Sequence, residues 1–244
     1  MRFGIIGAGP IGSTISKKLV KNEHDVKIAD ARGIERLEGK EIAGTPVGVE
    51  DVIKNIEVLI ISLPIEAMPS IRNVIHQVGE EVIIVDTSNY YPFRNGKIEE
   101  IENGMAESVW VSNQLGRPVI KAFNNSLAYT LENEGTSEYS SERIAMAVAG
   151  DDPEQKQVVV DIVHELGFDT VDSGSLNDSW RQQPGTPAYC TELTKDELKK
   201  ALEKANKEKA PLLRDKVIER ITEGKGVEFS PKDVVKLNRE IYNS

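Results

Sequence analysis

Short apolar runs alternate with amphipathic stretches over the first 172 residues. Arg2–Ile6 is apolar and runs into glycines, after which Ile11, Ile15 and Leu19 recur along one face of a helix. Residues 26–29, 58–63 and 82–85 are short, rich in β-branched side chains and nearly continuous in apolar character. Such runs suit strands of a parallel sheet, buried on both faces. Residues 119–123, 145–149 and 169–171 are further strand candidates. Helices fit between them. Residues 65–78 are periodic, with Pro69 in the first turns, and Asp152-Pro153-Glu154-Gln155 opens a helix that runs to about Leu166 and closes at Gly167. Strand–helix–strand alternation with short links predicts right-handed crossovers and a doubly wound, mostly parallel sheet.

After Gly174 the pattern changes. Trp180-Arg181-Gln182-Gln183-Pro184-Gly185-Thr186-Pro187 reads as an extended loop. Thr194-Lys195-Asp196-Glu197 is a capping box before a charged helix that must stop near Pro211. Residues 211–224 carry Leu213, Val217 and Ile221 on one stripe, and Ser230-Pro231-Lys232-Asp233 starts a last helix with Val234, Leu237 and Ile241. Helices this short are marginal alone, so their stripes are expected to pack on the sheet domain or on a second subunit. The organisation predicted is α/β: a sheet domain over residues 1–174, then a loop and a small C-terminal helical extension over residues 175–244.

With 39% hydrophobic and 29% charged residues, the 244-residue chain has globular composition. The net charge of −10 argues against general binding to nucleic acid or to an anionic membrane. From Glu192 onward, however, 13 Lys/Arg face 11 Asp/Glu, so the extension is slightly basic and the rest strongly acidic. Cys190 is the only cysteine, which leaves no internal disulfide, and it and the three histidines are too scattered for a zinc cluster. No signal peptide and no membrane span are expected, since the apolar runs fall far short of the roughly 20 residues a span needs. The expectation is a soluble cytoplasmic protein with no metal.

The segment Gly7-Ala8-Gly9-Pro10-Ile11-Gly12 is a G-x-G-x-x-G motif placed directly after the first strand and at the opening of the first helix. Gly7 permits the tight turn, Gly9 lets the backbone approach a pyrophosphate, and Gly12 allows close helix–strand packing. The motif alone is weak, but strand, helix, second strand and an acidic residue 18 positions after Gly12 all stand where a dinucleotide site needs them. That makes the predicted sheet a Rossmann-type one. Asp30 is placed to hydrogen-bond an adenosine ribose, as in NAD binders, whereas Arg32 is placed to hold a 2′-phosphate. Ala31 lies between them, and the two charges pull in opposite directions. Ser62-Leu63-Pro64, Asn89 and Asn124 each follow a strand and are candidates to line the cofactor and substrate, although turns use the same residue types.

Groups for acid–base catalysis are hard to find. His24 precedes the second strand at the far end, and His76 and His164 fall late in helices before a glycine. Cys190 has no histidine nearby to activate it. No catalytic residue is assigned, though Tyr90 or Tyr91 could serve as an acid. Hydride transfer to a flavin-like ring needs little such help, only two rings stacked with water excluded.

Several segments together resemble the NADPH-dependent deazaflavin (coenzyme F-420) reductase family, in its bacterial branch of dinucleotide-binding oxidoreductases. They are Gly4-Ile5-Ile6-Gly7-Ala8-Gly9-Pro10-Ile11-Gly12, Asp30-Ala31-Arg32-Gly33, Val119-Ile120-Lys121-Ala122-Phe123-Asn124, Ala149-Gly150-Asp151-Asp152, Leu166-Gly167-Phe168-Asp169, Asp172-Ser173-Gly174-Ser175-Leu176 and the 178–187 segment. The resemblance covers about residues 1–190. It implies NADP at the glycine loop, with Ala8 to Ile11 at the pyrophosphate, Asp30 to Arg32 around the ribose, Leu63 flanking the cofactor and Asn124 near the nicotinamide. It also implies a homodimer. The family commonly has Ser-Arg at the ribose position, so Asp30 leaves NAD open, and residues from about 191 onward exceed the usual family length.

The function expected is an NADP(H)-dependent oxidoreductase moving hydride between the nicotinamide and a deazaflavin, a flavin or a similar small electron acceptor. A non-catalytic dinucleotide sensor signalling through the tail, or a reductase of a small imine, carbonyl or ferric chelate, are the alternatives.

Overall fold

The computed structural model describes residues 1–136, 140–223 and 229–242, apart from the side chain of Asn95. Eight strands form one sheet: β1 (Arg2–Ile6), β2 (Asp25–Ala29), β3 (Thr45–Pro46), β4 (Val58–Ile61), β5 (Ile83–Asp86), β6 (Ile120–Lys121), β7 (Ala145–Ala149) and β8 (Asp169–Gly174). Their spatial order is β3-β2-β1-β4-β5-β6-β7-β8, and neighbours run parallel except for the antiparallel β6–β7 pair. The chain winds outward from β1 to β3, then returns to the other side of β1 with β4. The carboxyl ends of β1 and β4 therefore flank a switch point, where doubly wound sheets bind ligands. The strand β3 and the helices between residues 49 and 133, outside 65–78, lie where the sequence shows no clear period: most span two to six residues, too few positions to show one, and the nine-residue Glu107–Leu115 has no sharp apolar stripe.

Period-two alternation sorts the central strands onto two cores. Phe3, Ile5, Val58, Ile60, Ile83 and Val85 face the helices Pro10–Lys21 and Pro153–Glu165. Ile6, Leu59, Ile61 and Ile84 face the other layer, with Trp110 and Val111 of the helix Glu107–Leu115. The helix over 153–165 starts as expected: the Asp152 carboxylate accepts the N–H groups of Glu154 and Gln155 at 2.9 and 3.0 Å, and Gly167 takes φ +101°.

Two expected elements differ. Residues 65–78 do not form one α-helix but a 3₁₀ segment, Ile65–Ile71, followed by a single α-turn, Arg72–Ile75. Pro69 sits inside the 3₁₀ segment, where its missing N–H and its ring disfavour the i→i−4 ladder. The 180–187 loop is extended only in its second half, since Leu176–Gln182 is a 3₁₀ helix started by a reciprocal Ser175–Asp178 capping box.

The extension packs on its own chain. Its first helix, Lys195–Lys204, begins at the Thr194–Glu197 capping box and stops well before Pro211. It lays Leu198, Ala201 and Leu202 on Ala145 and Ala147 of β7, whose small side chains let it approach. Val217 of Ala210–Glu223 and Leu237 and Ile241 of Pro231–Tyr242 close around Tyr189 and Cys190. The expected helix end at Gly224 lies outside the described residues. Among the described residues no helix is long and apolar enough to cross a membrane, and no cluster of three His, Cys, Asp or Glu side chains could hold a metal ion.

Candidate functional site

The glycine loop leaves β1 at the switch point, and the space around each glycine separates their roles. Gly7 has φ +113°, and a Cβ there would lie 2.1 Å from the Ser62 carbonyl oxygen. A Cβ on Gly12 would lie 2.0 Å from the Gly7 carbonyl oxygen. Both glycines let the loop close against the residue that follows β4. No atom outside its immediate chain neighbours comes within 4 Å of a Cβ built on Gly9. Gly9 is also the N-cap of the helix Pro10–Lys21, and no side chain caps that end. The helix end thus has no side-chain cap and open space over the Gly9 α-carbon, an arrangement that fits a pyrophosphate. Ala8, Ile11 and Leu63 are half-buried and Pro64 is exposed, and Leu63 Cδ2 lies 3.2 Å from a Cβ built on Gly7.

At the end of β2, Asp30 and Arg32 do not act separately. The Asp30 carboxylate is buried and accepts the Arg32 backbone N–H at 3.0 Å, Nε at 3.1 Å and Nη2 at 3.2 Å. The Arg32 guanidinium holds the Asp30 carboxyl below its ordinary range, mainly through the side-chain hydrogen bond. The Arg32 side chain itself is 68% exposed, so the pair offers solvent a cationic face.

Asn89 and Asn124 meet. Asn124 Nδ2 donates to Asn89 Oδ1 at 3.0 Å and to the Gln182 carbonyl at 2.8 Å, while its Oδ1 accepts from Gln182 Nε2 at 2.8 Å. Asn89 Nδ2 in turn donates to the Asn124 carbonyl at 3.0 Å. Ser173 Oγ donates to Gln182 Oε1 and completes the network. Both amide hydrogens of Asn124 are therefore used within the protein, which makes it a brace between strand ends rather than a free donor. Phe123 just before it takes φ +61°, a strained value for a bulky residue that the packing of its buried ring maintains.

Beneath this network lies a group of buried charges that sequence patterns do not reveal. Lys121 and Asp86 are fully buried and pair at 3.1 Å. Lys121 Nζ also donates to the Ser88 carbonyl at 2.5 Å, and Asp86 accepts from Ser88 N at 2.9 Å and Ser108 Oγ at 2.7 Å. The pair thus fixes the turn that carries Asn89. Beside it, burial pushes the Glu107 carboxyl up to about 7, against the opposing pull of Lys121 and of the Tyr90 N–H that it accepts. Glu107 sits in an otherwise ordinary helix start, and nothing in its neighbours along the chain signals burial.

The other candidates are internally engaged. Tyr90 accepts the Ile98 N–H through its hydroxyl, and the Tyr91 hydroxyl donates to that of Tyr189, both at 3.0 Å. Burial pushes the Cys190 thiol up to about 12, which keeps it protonated and unreactive. His24 bridges the amino terminus and Glu165, and His164 Nε2 pairs with Thr170 Oγ1, all at the distances of ordinary hydrogen bonds.

Glu107 supplies a stability prediction. A carboxyl held above its ordinary 4.5 contributes stability that is complete below about pH 4.5 and is lost as pH rises to about 7. Ionised above that, it costs on the order of 3 kcal/mol. Glu107→Gln removes the charge at constant shape. It is expected to melt several degrees above the parent at pH 8, with the gain gone by about pH 4. Parallel pH series of thermal melts check this, and an unchanged difference across the series would refute it.

A strand, a glycine turn and an uncapped helix at the carboxyl edge of a doubly wound sheet define a Rossmann-type dinucleotide-binding fold. Residues 2–90 match the family described as NADP oxidoreductase, coenzyme F420-dependent, which is the family the sequence motifs resemble. That match covers the glycine loop, Asp30, Arg32, residues 62–64 and Asn89. The Escherichia coli (strain K12) protein YjhV is 57% identical over 53 residues, which are 22% of this chain and 39% of that relative's length. Among solved structures, the Sinorhizobium meliloti hypothetical protein SMa0349 is 27% identical with a TM-score of 0.68, covering 80% of this chain and 96% of its own. A protein from Arthrobacter sp. FB24, put forward as an F420-dependent NADP-reductase, shares the fold at a TM-score of 0.59 and 20% identity, over 72% of this chain and 86% of its own.

Proposed function

We propose that the protein is an NADP(H)-dependent oxidoreductase that passes hydride between the nicotinamide and a small electron acceptor of the flavin or deazaflavin type. The observation that carries this reading is the open cradle over Gly9 at an uncapped helix end. Gly9, Pro10 and Ile11 would hold the pyrophosphate, and the Asp30–Arg32 pair would take the adenosine ribose. Asn89 and Asn124 would act by bracing the strand ends beside the reacting ring. When bound, the dinucleotide supplies the hydride. The chain's own part is to orient it and keep water out. The match of residues 2–90 to the NADP oxidoreductase family supports the choice of cofactor class.

Oxidation of NADPH by the purified protein, followed at 340 nm with a panel of flavins and a deazaflavin, tests the reading. Saturable NADPH binding without turnover on any acceptor would favour a dinucleotide sensor instead.

The choice of NADP over NAD rests on Arg32. Its salt bridge already cancels the Asp30 charge, and its exposed guanidinium can offer remaining N–H groups to a 2′-phosphate. Arg32→Ala is expected to weaken NADP binding about tenfold or more while scarcely changing NAD. Asp30→Asn is expected to strengthen NADP. If Arg32→Ala leaves NADP affinity untouched and Asp30→Asn ruins NAD binding, the protein is an NAD binder.

A further inference from the structure

A second cleft, of about 600 Å³, opens between the 101–107 segment, the turn after Gln182 and the start of the helix Ala210–Glu223. The extension supplies one of its walls. Trp180, Met105, Pro184 and Pro211 give it apolar surface, and Glu107 and Gln183 also line it.

Those two polar side chains are the unusual part. Buried polar atoms in folded proteins nearly always have hydrogen-bond partners. Glu107 is 97% buried by its 3% exposure, and its Oε2 has no partner; Gln183 Nε2 is likewise buried and unpartnered. The Tyr90 N–H donates to the same carboxylate. One orphan is an acceptor and the other a donor, so a ligand satisfying both must carry a donor and an acceptor of its own. The walls ask for a flat or apolar body. The charged residues at the cleft, Glu102, Lys207, Glu208 and Arg214, are of both signs, so they select no net charge.

We infer that this cleft binds a small neutral heterocycle with a lactam or imide edge, its N–H donated to Glu107 Oε2 and its C=O accepting from Gln183 Nε2. The site is built from residues other than the glycine loop, and its occupancy does not require the dinucleotide.

The probe is quinazoline-2,4-dione, titrated calorimetrically into the full chain near pH 8, with its 1,3-dimethyl derivative as the analogue lacking N–H. Saturable binding of the dione is expected, with none detected for the dimethyl compound. Glu107→Gln replaces one carboxylate oxygen with an NH2 donor and leaves a single acceptor oxygen, for which the Tyr90 N–H competes with the ligand. It is expected to weaken binding about tenfold or more. Gln183→Leu removes the donor from a half-buried position without emptying a core, and an equal loss is expected there. Circular dichroism confirms that both variants are folded. No saturable binding by the parent protein at millimolar dione, equal binding of the dimethyl compound, or unchanged affinity in both folded variants would each overturn the inference.

Discussion

Gly9→Val is expected to abolish dinucleotide binding, weakening it a hundredfold or more, while the protein keeps its fold. Gly9 has φ −78° and ψ −177°, a conformation open to any residue, and its Cβ would meet nothing within 4 Å. The fold therefore loses only a modest N-cap preference, on the order of 0.5–1 kcal/mol. The branched side chain instead fills the space in front of the first-turn N–H groups, where a pyrophosphate has to sit to accept them. Titration of NADPH and NADP into the variant, alongside a thermal melt, checks both halves. Undiminished affinity would remove the loop from the site. Gly7→Ala and Gly12→Ala make the contrast. Their Cβ atoms would fall 2.1 and 2.0 Å from backbone oxygens, so these variants lose stability first and binding only as a consequence.

Lys121→Ala is expected to destabilise the protein by about 3–5 kcal/mol, because it strands a buried carboxylate. Asp86 is fully buried, and without Lys121 it keeps only the Ser88 N–H and the Ser108 hydroxyl as donors. The Ser88 carbonyl loses its partner too, so the turn bearing Asn89 loosens along with its contact to Asn124. Combining Lys121→Met with Asp86→Asn removes both charges and should restore a large share of the lost stability. Urea denaturation of Lys121→Met, Asp86→Asn and the pair measures the coupling directly. Additive losses would show that the two charges do not depend on one another.

The central strands were legible because they are nearly continuous apolar runs, a pattern that suits strands buried on both faces. The Asp152 and Thr194 caps were legible because capping acts within four residues of chain, so neighbours in sequence are the interacting groups. The α-helix expected over 65–78 failed for the converse reason. Its apolar spacing is real, but Pro69 alters the backbone hydrogen bonding that periodicity presumes.

At the candidate site the same division holds. The loop glycines fall within residues 7–12, and Asp30 and Arg32 are two residues apart, so the chemistry of each group is written in local order. Sequence placed them, but it left the two charges opposed; the folded turn joins them in one ion pair. Asn124 was legible as a polar strand end, yet only the fold brings Asn89 and Gln182 to it from 35 and 58 residues away and uses up its amide. Glu107, Lys121 and Asp86 belong wholly to the tertiary structure. Nothing in a residue's chain neighbours states how much of its surface the fold will cover, and desolvation is what moves the Glu107 carboxyl to about 7. The sequence by itself determined the apolar strand runs, the helix caps and the order of the glycine loop, which depend on residues close together in the chain. The tertiary structure alone decided which charges are buried, which amides are spent and where the extension folds back, since those depend on residues far apart in the chain.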